Sequence, residues 1–135
     1  MSYQMSFAHR ANYDAGLPGI TVDVTLSLAD HSVTLPAKLD TGATNCVFAR
    51  RHGEQLGLQI EAGERVLIST VKGSFLTYRH EVTLSVLEFQ FDVRVCFAVE
   101  DEFARDVLGR LGFLDRVTLA LVDYEGQLYL SRYGE

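Results

Sequence analysis

Asp40 is the residue of this sequence best placed to do acid–base chemistry. It ends a strand-like run, residues 33–39, and is followed by Thr41, Gly42 and Ala43. The aspartate can act as acid or base, the Thr41 hydroxyl can fix the loop by a hydrogen bond, and Gly42 permits a sharp turn. The small Ala43 leaves the approach to the carboxylate open. The same residues could also form an ordinary turn, because Asp and Gly favour turns.

The sequence around Asp40 consists mostly of predicted β-strands. Alternating or apolar runs bounded by turn residues predict strands at residues 20–28, 33–39, 65–71, 74–86, 89–99, 117–122 and 127–130. A short helix is predicted over residues 47–56, with Asn45 as its cap and Gly57 at its end. Pro36 favours an edge position or a bulge in its strand. Many short strands with one or two short helices indicate an all-β barrel or sandwich-like fold.

Length and composition are those of one globular domain. The chain has 135 residues, of which 47% are hydrophobic and 22% charged, with a net charge of −6. We therefore expect a single domain over residues 1–135. Lys and Arg are scattered, which argues against nucleic acid as a partner. No apolar run could span a bilayer and the N-terminus lacks a signal-peptide pattern, so we expect a cytoplasmic protein without a membrane partner.

The cysteines and histidines give no sign of a metal site. Cys46 and Cys96 do not form a Cys-x-x-Cys pair, and the four histidines have no metal-ligand spacing with each other or with cysteine. We expect both thiols to be reduced and mostly buried, although a disulfide between them stays open. No metal or organic cofactor is predicted.

A second motif lies downstream, with Val-Leu-Gly-Arg at residues 107–110 and Gly-Phe-Leu-Asp-Arg at residues 112–116. Together with Asp-Thr-Gly-Ala at residues 40–43, these segments resemble the retropepsin-like aspartic proteases, including the short bacterial and retroviral forms. In that family an apolar-apolar-Gly strand runs behind the Asp-Thr-Gly loop in a ψ-shaped arrangement, and a short helix follows. The hairpin around Lys72 and Gly73 lies where that family carries its flap. The resemblance covers about residues 20–130, in the right order.

The resemblance implies a closed, barrel-like all-β fold and an aspartic endopeptidase that acts as a homodimer on a peptide or protein substrate. The chemistry needs two carboxylates side by side, and one chain has one such motif, so a second copy supplies the other aspartate. The implied catalytic residues are Asp40, Thr41 and Gly42. The implied substrate-binding residues are Ala43, Thr44, Asn45, Val71, Lys72, Gly73 and Ser74, and the implied supports of the site are Leu108, Gly109 and Arg110.

The chain departs from the retroviral pattern at the residue that follows Asp-Thr-Gly-Ala. Retroviral enzymes usually have an acidic residue there, which pairs with the arginine of the later motif, but this chain has Thr44. Arg110 could therefore pair with Asp106, Asp115 or a residue of the partner chain, or remain exposed. The flap also differs, since Lys72 stands where a glycine-rich tip is usual.

The dimer interface and the function leave alternatives open. The family usually builds part of its interface from terminal strands, for which residues 3–7 and 128–132 are the candidates. The chain could instead be a catalytically weak or inactive module of the same fold that dimerises or binds peptides. It could also be a monomeric β-barrel that binds an apolar ligand, which the Phe-rich run 89–97 would suit.

Overall fold

The fold is dominated by β-strands. The computed structural model describes residues 1–103 and 105–135, and within them the chain forms ten strands and one short α-helix. The strands are β1 (His9–Asn12), β2 (Thr21–Leu28), β3 (His31–Leu39), β4 (Val47–Phe48), β5 (Glu64–Thr70), β6 (Gly73–Val86), β7 (Phe89–Ala98), β8 (Val107–Leu108), β9 (Val117–Val122) and β10 (Gln127–Arg132). The helix α1 is Arg50–Gln55, and 3-10 turns lie at Ile60–Ala62, Asp101–Phe103, Leu114–Arg116 and Asp123–Glu125. The strand content confirms the predicted all-β class.

Six of the strands close into a barrel. Neighbouring strands hydrogen-bond in the order β2, β3, β8, β4, β7, β6, and β6 pairs back onto β2, with Val24 opposite Val86 and Leu26 opposite Leu84. The strand β5 lies outside the ring and forms a long hairpin with β6. Closure is favoured by the alternation of apolar and polar residues in β2, β3, β6 and β7, because each of these strands can turn one face inward. The predicted closed barrel is confirmed.

The barrel interior is filled by large apolar side chains. Along β7 every second residue from Phe89 to Phe97 is buried, as the alternation predicts. The core continues beyond the barrel strands to the second sheet and the region of α1, and the largest fully buried side chains of the described residues are Phe48, Phe97, Phe113, Leu26, Leu56, Ile60, Leu84, Leu108, Leu128, Leu130, Val24 and Val95. Full burial of one such side chain is worth about 1.5–3 kcal/mol. Burial of these side chains therefore provides the main stabilisation of the barrel, including β3, the strand that ends at Asp40.

A second, three-stranded sheet joins the two ends of the chain, in the order β1, β10, β9. The strand β1 was not predicted, and His9 lies opposite Leu130 in β10. Residues 3–7 precede β1 and are not in a strand, whereas residues 128–132 lie within β10. Only the second of the two interface candidates therefore has the strand structure expected of it.

The helix begins later than predicted. Val47 and Phe48 belong to β4, which runs parallel to β7 with Val47 opposite Cys96, and α1 begins at Arg50. The prediction of a helix from residue 47 was wrong because both side chains are buried in the barrel, where strand pairing satisfies their backbone. Asn45 does not cap the helix, since Ala49 occupies that position.

The other local predictions about this region agree with the structure. Gly57 follows the helix with a φ of +83°, a conformation that glycine adopts without strain. Pro36 lies opposite Asp23 in β2, and in the described residues β8 pairs with β3 only at Lys38 and Leu39, so Pro36 occupies an edge position.

Among the residues that the structure describes, no helix is long and apolar enough to cross a membrane.

Candidate active site

Asp40 lies at the end of β3, in a turn that exposes it to solvent. The Gly42 N–H donates a hydrogen bond of 2.9 Å to Asp40 Oδ1, and the Ala43 N–H donates one of 3.2 Å to the Asp40 carbonyl oxygen. The first bond holds the carboxylate against its own loop, and the second closes the main chain of the turn. Thr41 is exposed as well, and its hydroxyl makes no hydrogen bond to the described residues of its own chain. The expected bond that fixes the loop through Thr41 is therefore not made within one chain.

The strand β8 supports the Asp40 loop from behind. The Asp40 N–H donates to the Leu108 carbonyl at 3.0 Å, the Arg110 N–H to the Ala43 carbonyl at 2.9 Å, and the Leu111 N–H to the Thr44 carbonyl at 2.8 Å. The segment from β8 onward thus runs beside the loop bond by bond. Because β8 lies between β3 and β4, which the loop connects, the arrangement is the predicted ψ shape.

Gly109 sits where no larger residue fits. Its position is buried, and an added Cβ would lie 2.7 Å from the Ala43 carbonyl oxygen and closer still to the carbonyl oxygen of Asn45. Both neighbours are backbone atoms, which cannot rotate away. The Gly109 N–H donates to Cys46 Sγ at 3.3 Å. Leu108 and Gly109 therefore set how closely β8 and the residue after it pack against the Asp40 loop.

Arg110 is exposed and forms no ion pair with the described residues. The two intrachain partners left open for it are engaged elsewhere. Asp106 lies 3.3 Å from His52 Nε2. Asp115 accepts a hydrogen bond from the Gly112 N–H at 3.0 Å and lies 3.6 Å from Arg116. In this chain Arg110 is thus free to meet another molecule.

The tip of the β5–β6 hairpin carries Val71, Lys72, Gly73 and Ser74. Gly73 has a φ of +128° and nothing near the position of a Cβ. The tip is closed by Thr70, whose Oγ1 donates to the Gly73 carbonyl at 2.8 Å. No hydrogen bond joins these residues to the Asp40 loop in the described part of the chain. The two groups of predicted substrate-binding residues are therefore not hydrogen-bonded to each other among the described residues of one chain.

Asn45 connects the site loop to the hairpin strand β6. Its Oδ1 lies 3.5 Å from Arg79 Nη2, and Arg79 Nη1 lies 3.4 Å from Glu64 in β5. Sequence reasoning missed Arg79, because nothing in the sequence distinguishes it from the other polar and charged residues of β6, which include His80 and Glu81. Asn45 and Arg79 also line an open pocket of about 760 Å³ that does not include Asp40.

The two thiols are free and buried, as expected. Burial raises the pKa of the Cys46 thiol to about 12, so it stays neutral at physiological pH. In the described residues no three His, Cys, Asp or Glu side chains are grouped so as to hold a metal ion.

Comparisons with known proteins agree on the family. A family model described as aspartyl protease matches residues 22–112, which is more than half of the chain. A solved EIAV protease, in complex with the inhibitor HBY-793, is 25% identical, with 69% of this chain and 83% of that chain covered and a TM-score of 0.53. No curated protein matches.

A second solved structure is that of a retropepsin-like aspartic protease from Rickettsia conorii. It covers 91% of this chain and 97% of that chain with a TM-score of 0.64, at 12% sequence identity, and so it shows the fold. Taken with the ψ-shaped arrangement behind Asp40, these matches show that the chain belongs to the aspartyl protease family and has the retropepsin-like fold.

Proposed function

We propose that the chain is an aspartic endopeptidase that acts as a homodimer, with one Asp40 from each chain in a shared site. The observation that carries this proposal is the exposed Asp40 carboxylate at the end of β3, where the Asp40 main-chain N–H donates a hydrogen bond to the Leu108 carbonyl behind it. One chain offers one such carboxylate, and the chemistry of the family needs two. The single-domain organisation and the cytoplasmic location stay predictions.

The proposed chemistry rests on one proton shared by two carboxylates. Two like charges at hydrogen-bonding distance cannot both stay ionised, so the pair titrates as a unit. The ionised Asp40 takes a proton from a water held between the two, and that water attacks the carbonyl carbon of the peptide bond. The protonated Asp40 polarises the carbonyl oxygen. Collapse of the tetrahedral intermediate moves a proton to the amide nitrogen and breaks the C–N bond. These steps need no metal or organic cofactor.

The residues around Asp40 would hold an extended peptide. Gly42 fixes the catalytic turn through its hydrogen bond to Asp40, and the exposed Thr41 hydroxyl would bond across the two-fold axis. Three further loop residues, Ala43, Thr44 and Asn45, would contact substrate beside the carboxylates. The hairpin tip at Val71, Lys72, Gly73 and Ser74 would close over the peptide as a flap and exclude water. Main-chain hydrogen bonds would bind the peptide like an added strand.

The strand behind the loop would support the site and the interface. Leu108 and Gly109 position the catalytic turn through the contacts described above. Arg110, which is exposed and free of intrachain ion pairs among the described residues, would contact the partner chain or the substrate. Residues 128–132 in β10 are the remaining strand candidate for the interface.

A non-catalytic module that dimerises or binds peptides is the second candidate. Thr44 stands where the retroviral enzymes have an acidic residue, and Arg110 is left without the partner that such a residue provides. The intact Asp40 argues against this candidate, because loss of the carboxylate is the simplest way for the site to decay.

Turnover of an unfolded protein and of a peptide library tests the proposal, with oligomeric state measured by sedimentation under the same conditions. We expect a dimer whose activity rises as the pH falls below neutral and then declines, because the productive pair carries one proton. Asp40→Asn is the control, since the amide cannot serve as the base. A folded dimer that binds peptides without cleaving them at any pH would favour the non-catalytic module.

A further inference from the structure

Asp106 stands directly before β8 and makes two contacts that the proposed mechanism does not use. Its Oδ1 accepts a hydrogen bond of 2.9 Å from the Ala49 N–H, the residue that precedes α1. Its Oδ2 lies 3.3 Å from Nε2 of His52, in the first turn of the same helix. One carboxylate thus joins the start of α1 to the start of β8, across more than 50 residues of sequence.

The His52 side of this contact is buried. His52 is 8% exposed and the Asp106 side chain 18% exposed. Because a carboxylate only accepts hydrogen bonds, the ring nitrogen that faces it must carry a proton. Nδ1 of the same ring is buried with no hydrogen-bond partner in the described residues. The ring is therefore fixed in one orientation by a single polar contact, the one to Asp106.

The strand that Asp106 begins is very short. Two residues of β8 pair with Lys38 and Leu39 of β3, and one of them pairs with Val47 of β4. So few strand-pairing hydrogen bonds define the position of a strand weakly. Contacts at the two ends of β8 must therefore also hold it in place. At one end Gly109 fits closely against the carbonyl groups of the Asp40 loop. At the other end the anchor is Asp106.

Two main-chain bonds carry that anchor to the candidate catalytic residue. The Asp106 carbonyl accepts a hydrogen bond of 2.9 Å from the Lys38 N–H, two residues before Asp40. The Leu108 carbonyl, two residues after Asp106, accepts the Asp40 N–H at 3.0 Å. A shift of β8 would therefore move the hydrogen bond that holds Asp40.

We propose that Asp106 is a positioning residue for Asp40: its carboxylate, bonded to Ala49 and His52, fixes β8 against α1 and thereby fixes the Leu108 carbonyl that holds the Asp40 main chain. The proposal rests on the proposed function for its catalytic consequence. Its structural consequence, a well-ordered Asp40 amide, holds whether or not the protein cleaves peptides.

Amide hydrogen exchange of Asp40, followed by NMR in the intact protein, tests the structural consequence. Asp106→Ala removes both contacts. Asp106→Asn keeps an oxygen that accepts from the Ala49 N–H, but its NH2 group cannot accept the hydrogen bond from His52. We expect the Asp40 amide to exchange about tenfold faster or more in Asp106→Ala, and by a smaller factor in Asp106→Asn. The Tyr13 amide, which donates to the Gly126 carbonyl at 3.0 Å next to the three-stranded sheet, is the internal reference and should keep its rate.

Glu61→Gln is the matched control variant. Glu61 binds Arg50 of α1, the helix that Asp106 also contacts, at 2.6 Å, but it makes no hydrogen bond or ion pair with β8 among the described residues. It should leave the exchange of the Asp40 amide unchanged. If α1 acted on the site only through general stability, Glu61→Gln and Asp106→Asn would change both amides alike, and the proposal would be overturned.

Steady-state kinetics tests the catalytic consequence. We expect Asp106→Ala to lower kcat by about 10- to 100-fold with little change in KM, because the catalytic group is displaced while the peptide contacts stay. If Asp106→Ala does not fold, Asp106→Asn decides both measurements. Wild-type exchange of the Asp40 amide in the folded variants would overturn the proposal. An inactive wild-type protein would refute the proposed function instead, and the exchange result would still decide the role of Asp106.

Discussion

Replacement of Gly109 by alanine should damage both the stability and the activity of the protein. The added Cβ would lie 2.7 Å from the Ala43 carbonyl oxygen, where real Cβ contacts stay beyond 3.0 Å, and it would approach the Asn45 carbonyl oxygen more closely still. The loop and β8 must therefore move apart by more than about 0.3 Å, the difference between those two distances. The hydrogen bonds that join them, from Asp40 to Leu108 and from Arg110 to Ala43, would lengthen together.

The size of the effect follows from these contacts. Overpacking in a close-packed site costs about 1–3 kcal/mol, and each weakened hydrogen bond costs up to about 1 kcal/mol more. With two such bonds, we expect the free energy of unfolding to fall by about 1–5 kcal/mol, out of the roughly 5–15 kcal/mol typical of a domain. The protein should still fold, but kcat should fall by about 100-fold, because Asp40, the proposed catalytic carboxylate, is displaced.

Urea denaturation and steady-state kinetics measure the two effects, with Gly16→Ala as the matched control. An alanine at Gly16 would meet only the Asp14 carboxylate oxygen at 3.2 Å, at the end of a side chain that can move. That variant should change the free energy of unfolding by less than about 0.5 kcal/mol. A Gly109→Ala protein with the stability and kcat of the wild type would refute the account of the ψ-shaped support.

Two further predictions concern groups outside the catalytic loop. The Tyr13 hydroxyl donates a 2.6 Å hydrogen bond to Asp123, which raises the pKa of Tyr13 from 10.0 to about 12. The stabilisation is therefore complete below pH 10 and disappears as the pH rises towards 12, so the stability difference between wild type and Tyr13→Phe should shrink only in that window. A difference that stays constant up to pH 12 would contradict this assignment. Burial also raises the pKa of the Cys46 thiol to about 12, so a thiol reagent should label Cys46 slowly in the native protein and rapidly after unfolding. Equal labelling rates in the two states would show that the thiol is accessible.

The strands that could be predicted are those whose signal is local. The alternation of β2, β6 and β7 and the turn residues between β5 and β6 are properties of neighbouring residues, and the structure has these elements within one or two residues of the prediction. The strands β4 and β8 have two residues each, too few to show a period. Their pairing is set by remote segments, which explains why Val47 and Phe48 were wrongly placed in a helix.

The candidate site likewise has features that a local sequence motif predicts and features that depend on contacts between remote residues. Asp40 and Gly109 could be related from sequence because each lies in a motif with a known spatial partner, and their loops are hydrogen-bonded in the structure. The contact of Asp106 with His52 could not be predicted, since it joins residues 54 apart in the chain by side chains alone. The exposure of Arg110 likewise depends on the engagement of its possible partners with other groups.

If two chains share one active site, an inactive chain should also silence the active chain with which it pairs. The activity of mixtures of active and inactive chains measures this. Wild type and Asp40→Asn are combined at constant total chain concentration and given time to exchange subunits, with Gly16→Ala mixed in place of Asp40→Asn as the control. At equal proportions, random pairing leaves about one quarter of the dimers with two aspartates, so activity should fall to about one quarter of the wild-type value. The Gly16→Ala mixture should keep full activity. Activity that falls only to about one half, in simple proportion to the wild-type chains, would mean that each chain works alone and would contradict the account.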